Sequence, residues 1–90
     1  MASKRDLKKV VHYLTNEFVG DALLYLLIEE KNEAEVESLV EKAVNLEQEK
    51  IDEVNAKNIE GSKKKYYTGI RTETVEKIDG FYGELIALMK

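Results

Sequence analysis

Ninety residues suffice for one small core, burying roughly 60–65% of the unfolded surface, and the chain reads as a single domain, 1–90. It has no Cys, which excludes disulfide scaffolds, thiolate metal sites and cysteine nucleophiles. It has no Pro either, which favours long uninterrupted helices. The net charge of −4 is unevenly spread: residues 1–31 carry five basic and five acidic groups, 32–60 three and nine, and 61–90 six and four.

The first element is expected over about 4–31. Ser3 with Asp6 resembles a helix start, although the usual capping box has Glu or Gln at the second position. Leu7, Val10, Val11, Leu14, Phe18, Ala22 and Tyr25 recur at helical spacing and form one apolar face. From Ala22 to Ile28 seven successive residues carry no charge, and the apolar character spreads round the helix. Leu23, Leu24 and Leu27 point away from the stripe, so this segment needs cover on more than one side. The run falls far short of the ~18–20 residues that span a bilayer, and residues 3–9 do not resemble a signal peptide. A cytoplasmic protein without a membrane span is the expectation. Gly20 lies opposite the stripe, either as a surface glycine or as a point of close contact with another helix.

Asn32 and Glu35 repeat the capping pattern and open a second helix, expected over 33–57, with Val36, Leu39, Val40, Ala43, Ile51 and Val54 as its stripe. Acidic residues Glu33 and Glu35 in its first turn suit the helix dipole. The connection at Lys31–Asn32 is so short that the first two helices should form an antiparallel hairpin. Gly61 is a plausible stop. The third helix is expected from about 64 to 89, starting between Ser62 and Thr68. A start at Ser62 itself would place Gly69 inside the helix and Arg71 on the apolar face, and both count against it. Its stripe reads Val75, Ile78, Tyr82, Leu85, Ile86 and Met89, flanked by Phe81 and Leu88. No strand-like alternation occurs. The fold class is all-α, a three-helix antiparallel up-down-up bundle.

Chemistry is harder to place. Glu47 falls on the axis of the second stripe and Asp21 within about 40° of the first. A buried carboxylate must be paired, hydrogen-bonded or neutral, so these two are either an acid pair or ordinary carboxylates. A Tyr hydroxyl, Lys50 or solvent would satisfy Glu47 in the second case, which is preferred. His12 lies off its stripe and reads as a surface residue; Lys9 and Thr15 flank it at three residues, so no Glu-x-x-His metal pair exists. No phosphate loop or nucleophile elbow occurs. No enzyme, cofactor or metal is expected.

Folding the chain up-down-up gathers Lys4, Arg5, Lys8, Lys9, Lys57, Lys63, Lys64 and Lys65 at one pole, with Tyr66 and Tyr67 beside them. Basic groups at helix N-termini oppose the dipole, so helix stability does not explain them. They could receive an acidic protein, a phospholipid or a nucleic acid, with tyrosines available to stack, or be a solvated charged end. The acidic second helix counts against nucleic acid.

The segment Arg5-Asp6-Leu7-Lys8-Lys9, with Tyr13-Leu14 and Tyr66-Tyr67, resembles a set of small bacterial all-helical proteins of about 90 residues with no assigned function. That resemblance implies an all-helical fold and imports no catalytic residue. The expected function is a non-catalytic interaction or scaffold module, homodimeric through Leu23, Leu24, Leu27, Phe81 and Leu88. The runner-up is an anion-binding module at the basic pole.

Overall fold

A computed structural model of the protein describes residues 4–57 and 59–89. Three helices, α1 (Lys4–Glu29), α2 (Glu33–Val54) and α3 (Lys63–Leu88), each contact the other two in an elongated bundle of 46 × 20 × 18 Å. No strand occurs among the described residues. Leu7 near the start of α1, Val54 at the end of α2 and Ile70 in the second turn of α3 share one small apolar cluster, so helices consecutive in the chain run antiparallel and α1 and α3 run parallel. The main core fills the other end: Phe18, Ala22 and Tyr25 of α1, Val36, Leu39, Ala43 and Leu46 of α2, and Ile78 and Leu85 of α3. The Phe18 ring lies edge-on to Tyr82 at 5.1 Å and tilted against Phe81 at 5.7 Å, geometries that ring quadrupoles favour.

The hairpin turn departs from the capping expectation. Asn32 does sit at the N-cap of α2, but in the left-handed region (φ 59°), and its side chain makes no cap hydrogen bond. Its Nδ2 donates instead to the Tyr25 hydroxyl at 3.1 Å and to the Leu88 carbonyl at 3.0 Å. Asn tolerates that backbone region better than most residues, so it closes the turn and ties in the end of α3. Ser3 lies outside the described residues, and so does the cap expected there.

Helix α2 ends at Val54, before the expected 57, and Gly61 does not cap it. Gly61 bends the connection to α3 at φ 78°, where any side chain would be strained. Ser62 then caps α3, its Oγ accepting from the Lys65 N–H at 3.4 Å. The early start therefore prevails: it does carry Gly69 inside the helix, but it does not set Arg71 on the buried face. Gly69 and Arg71 are both exposed. The buried axis of α3 runs Ile70, Thr74, Ile78 and Leu85, which leaves Val75 and Ile86 facing outwards. Thr74 occupies a core position because its hydroxyl donates to the Ile70 carbonyl at 2.7 Å, one turn back.

The same correction applies to α2. Its buried axis is Val36, Leu39, Ala43, Leu46, Lys50 and Val54, so Lys50, not Glu47, is the charged residue inside.

Candidate interaction surfaces

Lys50 is fully buried, with a side-chain exposure of 0%. Its Nζ lies 2.9 Å from Glu53 Oε2 and 2.8 Å from Glu73 Oε1, so one carboxylate comes from its own helix and one from α3. Burial alone would lower the pKa of this ammonium, but Glu73 and Glu53 outweigh it and hold the group charged above its ordinary 10.5. Lys50 in turn holds the Glu73 carboxyl below its ordinary 4.5, with Lys77 adding a weaker pull at 3.7 Å. A lysine held in the charged form is neither nucleophile nor base, and the triad ties α2 to α3.

The two carboxylates singled out in the sequence do not meet. Glu47 is partly exposed and faces His12, with Nδ1 and Oε1 3.2 Å apart. Asp21 is exposed and accepts from the Tyr82 hydroxyl at 2.5 Å, bridging α1 to α3. Burial first, and then the Asp21 carboxylate, push the Tyr82 hydroxyl well above its ordinary pKa. No group of three or more potential metal-binding His, Cys, Asp or Glu side chains occurs among the described residues.

The first exposed surface is apolar. Leu23, Leu24, Leu27 and Ile28, in the last two turns of α1, are 53–75% exposed. Across a shallow groove of about 460 Å³ lie Ile86 and Met89 of α3, each half-exposed, with Tyr25 and Leu85 at its floor. Asp21 and Glu29 edge the groove. Phe81 and Leu88, expected on this surface, are only partly exposed and pack against the main core. Gly20 lies one turn before Leu24, and a Cβ built there would meet nothing within 4 Å, so no helix of the same chain approaches it.

The second surface is the basic pole. Lys4, Arg5, Lys9, Lys63, Lys64 and Lys65 are exposed and Lys8 is half-exposed. Among the described residues none of these seven, nor Lys57, takes part in an ion pair. Tyr66 and Tyr67 are half-buried against Leu7, Val54 and Ile70, their rings edge-on at 5.5 Å. The Tyr66 hydroxyl donates to the Glu53 carbonyl at 2.7 Å, and the buried Tyr67 hydroxyl has no hydrogen-bond partner among the described residues. Their rings thus close the end of the bundle that holds the small apolar cluster before they offer anything to a ligand.

No helix among the described residues is long and apolar enough to cross a membrane. Comparison of the chain with family models, curated proteins and solved structures finds no match. The functional reading therefore rests on the two surfaces alone.

Proposed function

We propose that this protein is a non-catalytic helical interaction module that pairs with a second copy of itself through the outer face of α1. One observation carries the reading. Four large aliphatic side chains in two turns, more than half exposed, form a patch that α3 widens with Ile86 and Met89. Scattered exposed apolar residues are ordinary, but a contiguous patch on a small domain marks an interface. Charge bears on which face could pair. Helix α1 is neutral overall within its span, its four basic residues lying at 4–9 and Asp21 and Glu29 edging the patch. Helix α2 carries eight acidic and two basic residues, which disfavours pairing through that side.

Sedimentation equilibrium across a concentration series tests the proposal. A mass of twice 10.3 kDa that falls to one chain in Leu24→Glu or Leu27→Glu is the expected result. A monomer at every concentration sinks it.

The unpaired lysines of the pole favour a second reading, an anionic partner held there. Mutating Lys63, Lys64 and Lys65 together to Ser should then abolish retention on heparin or anionic vesicles. Unchanged retention would dispose of that reading.

A further inference from the structure

Charge is sorted along the long axis of this bundle. Residues 4–9 and 63–65 carry seven basic groups and one acidic group, whereas residues 29–37, at the opposite end, carry one basic and five acidic. Helices α1 and α3 run parallel, so both N-termini lie at the basic pole. Every Cα–Cβ bond of a helix tilts toward its N-terminus. The basic side chains of both first turns therefore lean out past the tip, while those of α2, whose C-terminus lies there, lean back. The basic groups also fan out. Lys63, Lys64 and Lys65 are consecutive and cover about 200° of α3; Lys4, Arg5, Lys8 and Lys9 cover about 140° of α1. None of the seven takes part in an ion pair among the described residues. Such a fan lines no single track for a nucleic-acid strand, and the tyrosine rings beside it are packed against Leu7, Val54 and Ile70. A flat anionic surface across the end of the bundle meets all of it at once. Approach from the α2 side meets eight acidic residues instead. The chain as a whole is at −4, so attraction requires its acidic end to be held away. The bundle is 46 Å long, several times the Debye length of about 8 Å at physiological salt, and end-on contact meets that requirement.

We infer that the bundle docks end-on, through this pole, on the anionic headgroups of a phospholipid bilayer. The inference rests on the second reading above, that the pole holds an anionic partner, and adds the kind of partner and the orientation. Contact is peripheral and electrostatic. Leu27 stands roughly 30 Å along α1 from Leu7, so the exposed leucines stay clear of the bilayer.

Co-sedimentation with vesicles of equal parts phosphatidylcholine and phosphatidylglycerol tests it. The chain should pellet with them at low salt, be released as salt is raised, and ignore pure phosphatidylcholine. Mutating Lys63, Lys64 and Lys65 together to Ser should weaken partitioning roughly a hundredfold, because each basic group at such a surface contributes about fivefold. Lys42→Ser, an exposed position midway along α2, should change it less than about twofold. The chain has no native Cys, so single-cysteine variants report the orientation. A dye on Thr68→Cys, near the pole, should be quenched by a headgroup-borne quencher. The same dye on Ser38→Cys, roughly 25 Å further along the bundle, should not. Equal quenching at both positions means that the bundle lies flat, which overturns the inference. Retention on heparin, duplex DNA or polyglutamate without vesicle binding also overturns it and leaves the anionic-partner reading standing. Retention on none of these polyanions, or a triple variant that binds vesicles as well as the native chain, overturns both.

Discussion

The two ends of the bundle manage opposite problems. Toward the small-cluster end a charge lies inside: Lys50, one turn before Val54, is fully buried, and two carboxylates from different helices balance it. At the main-core end leucines lie outside, with Leu27 the most exposed large aliphatic side chain on α1. A buried ammonium cannot be left alone, because desolvation costs several kcal/mol, so its partners are supplied within the chain. An exposed leucine costs much less, and its cover can be left to another molecule. The small-cluster end is thus finished by intramolecular contacts, and the main-core end is where an intermolecular contact still has surface to gain.

Several substitutions would break or sharpen this contrast. The largest effect belongs to the main core: Phe18→Ala should cost about 3–5 kcal/mol, read as a shift of the denaturant midpoint, since it empties the site that three helices share. Next comes the Lys50 site. Replacing Glu53 and Glu73 together by Gln strands a buried charge and should cost about 3 kcal/mol, while Lys50→Met in the native background should be neutral or stabilising. Acid gives the same answer by titration. Glu73 has a folded pKa below its unfolded value. Its contribution is therefore complete above pH 4.5 and is lost as pH falls through the depressed folded value, a loss that Lys50→Met should remove from the stability profile. Smaller still is Tyr82→Phe, which deletes the bond to the exposed Asp21 and should cost about 0.5–1 kcal/mol in the same unfolding assay. At the main-core end Leu27→Glu should move monomer stability by less than about 0.5 kcal/mol while abolishing association. A large stability loss there would mean that Leu27 is structural, and the contrast between the ends would fail.

Much of the architecture is legible in the sequence. The helical period of Leu7, Val11, Phe18, Ala22 and Tyr25 identifies the buried face of α1, and the short link at Asn32 dictates the hairpin. What misleads is polarity standing where an apolar residue is expected. Lys50 and Thr74 both occupy buried axes, Lys50 through Glu53 beside it and Glu73 on another helix, and Thr74 by bonding its own helix backbone. Periodicity counts neither as core, so the apparent stripe of α2 rotates toward Glu47 and that of α3 toward Val75. Asn32 reveals a turn in the sequence but not the target of its amide, because Leu88 lies 56 residues away. The surface on α1 is legible because four apolar residues in two turns exceed what one face can bury.

Helix α3 is joined to the hairpin at intervals along its whole length. Tyr66 bonds the Glu53 carbonyl, Glu73 meets Lys50, Tyr82 reaches Asp21, and the Leu88 carbonyl accepts from both Tyr25 and Asn32. The first two ties reach α2, and the last two reach α1 and the Asn32 turn. No stretch of α3 longer than about two to three turns lies between attachments, so the helix has no weak segment at which to peel away from the other two. Its interior amides should therefore exchange with solvent only when the entire bundle opens, and α3, despite its interrupted apolar stripe, becomes the element that makes unfolding all-or-none.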